Sequence, residues 1–163
     1  MRIDIDIARQ RLVLHDAAAT REYRISTAAN GPGEINGSGC TPRGLHTVRA
    51  KIGHALPSGA VLRARRATGE VWTPALQAQQ PNRDWILTRI LWLSGLERGR
   101  NRLGCVDTFR RYVYLHGTPY REALGTPASK GCVRMDNDDI IELFERVPVG
   151  TPVHIFETTP GSH

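Results

Sequence analysis

The amino-acid sequence predicts a mainly β fold, a sandwich or barrel-like core carrying one main helix. Three observations lead there. Ile3, Ile5 and Ile7 recur with period two, as do Leu12 and Leu14, so each set lies on one face of a short strand. Further strand-like segments near residues 21–27, 45–52 and 60–66 are separated by Gly, Pro, Asn and Ser clusters that mark turns. Helical spacing is sustained after residue 136, where Ile140, Ile141, Phe144 and Val147 recur on one face.

Taken in order, Met1 leads straight into the first strand. Gly31-Pro32-Gly33 and Asn36-Gly37-Ser38-Gly39 bound a loop. Trp85 to Leu93, W-I-L-T-R-I-L-W-L, is almost continuously apolar and reads equally as a buried strand or a short helix, because an unbroken run carries no period. Residues 94–108 are Gly- and Arg-rich and read as a loop. Arg111 to His116, R-Y-V-Y-L-H, reads as a strand ending on the histidine. Asp136 or Asn137 caps the helix, and Asp138 and Asp139 complement the positive end of its dipole. Pro148 stops it, and Pro152 to Phe156 returns as a final strand. No repeat and no linker interrupts the chain, so residues 1–163 form a single domain.

At 163 residues the chain can bury a core without covalent staples. The net charge of +6 favours acidic partners. Its basic residues are scattered, however, as Arg63, Arg65 and Arg66, then Arg98, Arg100 and Arg102, then Arg110 and Arg111. No recognition helix or aromatic platform accompanies them, so no nucleic-acid partner is expected and a small anionic substrate accounts for the charge. No apolar run approaches the ~18 residues of a membrane span. No charged-then-apolar leader precedes the first strand. If Met1 is the natural start, the expected location is cytoplasmic; a trimmed chain would belong to the periplasm. The three cysteines, Cys40, Cys105 and Cys132, include no C-x-x-C pair, so neither a metal site nor a cofactor is expected. Cys40 and Cys105 are either paired, in an oxidising compartment, or reduced.

The chemistry concentrates between His116 and Arg134, H-G-T-P-Y-R-E-A-L-G-T-P-A-S-K-G-C-V-R. A thiol becomes a strong nucleophile when a neighbour takes its proton, and an imidazole is the usual neighbour. Cys132 as nucleophile and His116 as base are therefore the candidate pair. Three or four residues also separate Cys132 from the helix cap, and a nearby helix N-terminus would favour its thiolate. Gly131 leaves the sulfur accessible, and the N–H groups of Gly131 and Cys132 are candidate oxyanion donors, each worth about 3 kcal/mol of barrier. Arg134 has two readings, a fork for a substrate carboxylate or a salt bridge to Asp136 or Asp138. Ser129 is either a substrate hydrogen-bond partner or a turn residue. Trp92 is expected in the core, although with the arginines of residues 98–102 it would also suit a flap beside the cleft.

These residues, H-G-T…L-G-x-P-A-S-x-G-C-V-R-M, resemble the signature of the YkuD-type L,D-transpeptidase family. Cys40-Thr41-Pro42-Arg43-Gly44 resembles that family's T-P-x-G turn. The opening I-D-I-A-R-Q-R-L-V-L resembles its first hairpin, and Arg111–Leu115 its strand into the histidine. Lys130 departs from the pattern, standing where many members carry histidine. The resemblance implies a β-rich fold and a cysteine acyl-transfer mechanism on peptidoglycan stem peptides. Cys132 would attack the carbonyl of the third stem residue and expel terminal D-alanine, with His116 oriented by the carbonyl of Gly117. It also implies acylation by carbapenem-type β-lactams. A cytosolic enzyme meets muropeptide fragments rather than assembled wall, so the expected reaction is that of a tetrapeptide L,D-carboxypeptidase in recycling. The alternatives are a periplasmic transpeptidase forming cross-links and, more remotely, a non-catalytic muropeptide-binding protein.

Overall fold

The computed structural model describes residues 1–158, so residues 159–163 of the expected domain lie outside the described residues. Ten strands are formed: β1 (Arg2–Asp6), β2 (Arg11–His15), β3 (Thr20–Ser26), β4 (Gly44–Ile52), β5 (Ala60–Arg63), β6 (Arg66–Val71), β7 (Ile86–Gly95), β8 (Tyr114–Gly117), β9 (Val133–Met135) and β10 (Pro152–Phe156). A short helix α1 (Pro74–Gln79) lies between β6 and β7, and α2 (Asn137–Arg146) lies between β9 and β10.

Eight of the strands join in the order β4-β10-β1-β2-β3-β9-β8-β7, and β7 pairs back with β4. Closure leaves no exposed edge within this ring, which removes the hazard of an unpaired ladder. Two of its junctions, β1 with β10 and β8 with β9, are parallel. The hairpin of β5 and β6 hangs from the beginning of β7, with Leu62 opposite Ile86.

The sequence pattern explains the core. Ile3 pairs with Leu14 and Ile5 with Leu12, and all four are fully buried. They join Ile25, Val48, Leu91, Leu93, Leu115 and Met135 in one cluster with Ile140, Leu143 and Phe144 of α2. The helix begins where Asp136 accepts a hydrogen bond from the Asp138 N–H at 2.9 Å. It ends at Arg146, with the Val147 N–H bonded to Leu143 O. Leu143 replaces Ile141 on the buried stripe, and Ile141 is only partly covered.

Three expectations are settled or corrected, and one element is new. The apolar run after Trp85 is the strand β7, continuous because its neighbours in the ladder and the packing on both faces leave it no solvent side. Residues 60–66 are not one strand but the start of a hairpin. It turns at Ala64 and Arg65, whose φ values of 47° and 64° lie in the left-handed region that a two-residue hairpin turn needs. The strand into His116 starts at Tyr114, because Arg111 and Tyr112 are tied into turns by bonds to Asp107 O and Phe109 O. Helix α1 carries a signal that propensity reading passes over: Thr73 caps it by accepting from the Leu76 N–H at 3.1 Å, and Pro74 occupies the first turn.

Candidate active site

Strands β8 and β9 build the site through their parallel register, in which His116 faces Arg134. Directly opposite residues project to one face of a sheet, and the period is two. His116 therefore shares a face with Tyr114, two residues earlier in β8, and Cys132 lies immediately before β9, two residues ahead of Arg134. The Tyr114 N–H ties the Cys132 sulfur to the strand that carries His116.

His116 is 1% exposed, so its imidazole is sealed from water. Its Nδ1 lies 2.7 Å from the Gly117 carbonyl oxygen. A carbonyl only accepts, so Nδ1 carries the hydrogen and Nε2 keeps its lone pair. Burial, the largest influence, pushes the imidazole pKa below its ordinary value, against the Gly117 bond and Asp84, which raise it. The ring is thus a neutral base.

Cys132 holds its thiol between two backbone groups. The sulfur donates to the Tyr112 carbonyl at 3.3 Å and accepts the Tyr114 N–H at 3.3 Å. Desolvation dominates its titration and pushes the pKa up to about 12; the Tyr114 N–H, Arg134 and Arg111 oppose that, while Asp84 adds to it. The expected thiolate-favouring helix terminus is absent at the sulfur, because the whole of β9 separates Cys132 from the start of α2. The resting pair is a neutral thiol and a neutral imidazole. Alkylation of Cys132 by iodoacetamide should consequently keep accelerating as pH rises through 9, with the exposed Cys105 labelled first at pH 7. Peptide mass mapping reads both sites, and a Cys132 rate that is flat from pH 6 to 8 would show a preformed ion pair instead.

The segment before Cys132 is held by bonds that sequence reading did not foresee. Thr41, fully buried, donates its hydroxyl to Gly131 O at 2.9 Å and accepts the Ala28 N–H at 3.0 Å. The T-P-x-G turn therefore does more than reverse the chain: it anchors the residue next to the nucleophile. Gly131 has φ +134°, a backbone conformation that side chains other than glycine resist. Its N–H donates to Ser129 Oγ at 3.2 Å, and the same hydroxyl donates to Cys132 O at 2.5 Å. Ser129 is thus committed to the turn. The Gly131 N–H expected at an oxyanion is already bonded, which leaves the Cys132 N–H as the candidate of that pair.

Arg134 is buried and its partner is neither Asp136 nor Asp138. Nη2 lies 3.6 Å from Asp84 Oδ1, Nη1 donates to Ala128 O at 3.3 Å, and the guanidinium stacks over Tyr120 at 5.3 Å. Asp136 caps α2 and pairs with Arg121 at 2.8 Å instead. A cavity of about 360 Å³ opens beside Arg134, lined by Asn82, Arg83, Asp84, Tyr120 and Lys130. A second, of about 400 Å³, opens beside Cys132, lined by Gly39, Arg110, Arg111, Tyr112 and Lys130. Lys130 borders both.

Trp92 is half-buried, packed against the small core cluster of Leu62, Ile90 and Tyr114. It stacks on Phe109 at 3.9 Å and meets Tyr114 edge-on at 5.7 Å. Arg65, delivered by the β5–β6 turn, lies over Trp92 and Tyr112 and donates to Tyr114 Oη at 3.1 Å. This aromatic and cationic brace holds the two residues whose backbone cradles the sulfur. The arginines 98–102 form no flap here, and Asn101 of that loop is instead bonded to the carbonyls of Arg43 and Leu45. All three cysteines are free.

The family model of the L,D-transpeptidase catalytic domain, YkuD, matches residues 1–155. The chain belongs to this family. A probable L,D-transpeptidase of Salmonella typhimurium, ErfK/SrfK, is 31% identical over 128 residues, which are 71% of this chain and 40% of that protein. The chain thus spans well under half of that curated relative's length. Among solved structures, an L,D-transpeptidase from Mycobacterium smegmatis superposes with a TM-score of 0.55 at 18% identity, covering 94% of this chain and 57% of that one. L,D-transpeptidase 3 from Mycobacterium tuberculosis, in complex with a faropenem-derived adduct, superposes with a TM-score of 0.55 at 16% identity, covering 95% and 60%. These L,D-transpeptidases share the mainly β, barrel-like fold. Among the described residues, no helix is long and apolar enough to cross a membrane.

Proposed function

We propose that this L,D-transpeptidase domain transfers the acyl group of a peptidoglycan tetrapeptide stem from its terminal D-alanine to an acceptor, through a thioester on Cys132. The observation that carries the reading is the pair of cavities meeting at Lys130 beside the Cys132–His116 face. Arg134, Arg83 and Lys130 line one and Arg110, Arg111 and Lys130 the other, so each side suits a carboxylate-bearing peptide. In the first half-reaction the Cys132 proton passes to His116 Nε2 as sulfur bonds to the carbonyl of the third stem residue. The tetrahedral oxyanion forms at the Cys132 N–H. The C–N bond to D-alanine then breaks, and the imidazolium returns the proton to the leaving amine. Because the resting thiol is neutral, proton transfer accompanies attack instead of preceding it.

An amine of a second stem seated in the second cavity would give a cross-link. Hydrolysis, which would make the domain a tetrapeptide L,D-carboxypeptidase, is supported by the part of Cys132 that stays open to solvent. A cytoplasmic site of action goes with hydrolysis and a periplasmic one with cross-linking. Acylation of Cys132 by carbapenem-type β-lactams belongs to the same proposal, since a strained lactam carbonyl takes the place of the stem amide. Incubation with a disaccharide-tetrapeptide, with and without a second stem as amine donor, separates the outcomes by mass. Dimer with loss of D-alanine supports cross-linking, tripeptide alone supports the carboxypeptidase, and intact tetrapeptide in both arms would end the acyl-transfer reading.

A further inference from the structure

The pairing of β7 with β8 breaks between Leu87 and Ile90, at the level of the catalytic histidine. Leu87 pairs with Gly117 and Ile90 with His116, so Thr88 and Arg89 form a bulge between them. Thr88 is fully buried and has φ +75°. A β-branched residue in that region is a genuine outlier and persists only when its surroundings impose it. Three bonds do so here. Arg89 Nη1 donates to Thr88 O at 2.7 Å and to Leu56 O at 2.8 Å, and the Gly59 N–H donates to Thr88 Oγ1 at 3.0 Å.

The strained backbone aims the threonine hydroxyl at the first residue of α2. Thr88 Oγ1 donates to Asn137 Oδ1 at 2.6 Å. Both oxygens crowd the α-carbon of Gly117. A methyl group built there would lie 2.2 Å from Asn137 Oδ1 and 3.0 Å from Thr88 Oγ1, with Leu87 O at 2.8 Å. Gly117 is the residue whose carbonyl holds the Nδ1 hydrogen of His116.

We infer that Thr88 and Asn137 are positioning residues that fix the Gly117 peptide, and through it the tautomer and orientation of His116. Backbone carbonyls are fixed only as firmly as the peptide that carries them. In this role the Thr88–Asn137 bond does for a main-chain acceptor what an outer hydrogen-bond partner does for a side chain. Neither residue lines the cavities beside Cys132 and Arg134. The inference rests on His116 being the base, but the tautomer can be read without activity.

The test compares Thr88→Val, Thr88→Ser and Asn137→Ala in the full chain. Nitrogen-15 NMR of the imidazole reports the tautomer, and acylation by a chromogenic β-lactam reports the rate. Thr88→Val keeps the branched shape and loses the donor. It should show mixed His116 tautomers and a kcat about 30-fold lower with KM within about 2-fold, while Thr88→Ser restores both. If Thr88→Val does not fold, the partly exposed Asn137→Ala should give the same tautomer signature. Folded variants with a wild-type imidazole spectrum and wild-type kcat would overturn the inference. A disturbed tautomer in a protein whose His116→Ala variant still acylates would uphold the brace and remove the base assignment instead.

Discussion

Cys132→Ala will eliminate covalent capture of both tetrapeptide and β-lactam, with turnover down by at least ~10⁴-fold. The chain has two other thiols, but neither can substitute. Cys40 is tied toward the carbonyls of Asn30 and Ser38 at 3.6 and 3.7 Å, and Cys105 lies exposed on a short 3₁₀ turn. Cys132 instead accepts the N–H of Tyr114, two residues before the buried imidazole in β8. The substitution removes one sulfur atom from a partly exposed position, so the fold should survive and thermal unfolding should change little. Intact-mass measurement after exposure to a carbapenem is the direct check. An adduct of one drug mass on the alanine variant would place the nucleophile elsewhere.

Gly117→Ala should be the most damaging single methyl in the site. The Asn137 amide can swing away from a new β-carbon, but Leu87 O, 2.8 Å from it, belongs to the backbone of the neighbouring strand. Strands β7 and β8 must part locally to admit it. Overpacking of this kind costs about 1–3 kcal/mol, and the displaced carbonyl would lose its 2.7 Å contact with His116 Nδ1. A urea midpoint lowered by that amount, together with acylation down at least ~100-fold, is the expected result. A variant with the parent midpoint and rate would mean that the Gly117 peptide has room the close contacts deny.

The two substitutions probe residues whose legibility differed. Cys132, His116 and Gly117 stand in a short segment whose residue types announce acyl transfer, and the alternating isoleucines and leucines of β1 and β2 announce the barrel wall. Thr41 was legible only as part of a turn motif, and Arg65 and Thr88 gave no comparable signal. Each is an ordinary residue type, 91, 67 and 44 positions from Cys132 along the chain, taken as the difference of their numbers. Their importance arises from contacts that only ring closure creates. The helix terminus expected beside the nucleophile is displaced from it for the same reason, because the strand β9 lies between them in space.

The sequence by itself determined the family and the β-rich class and nominated Cys132 and His116 as nucleophile and base, because period-two burial and a thiol–imidazole motif are local patterns. The tertiary structure decided the desolvation that raises the Cys132 pKa and lowers that of His116, the engagement of Ser129 and Gly131 with each other, the partner of Arg134 and the strained brace at Thr88. Desolvation and hydrogen bonding depend on which distant segments are packed together. That information exists only once β7, β8 and β9 lie side by side.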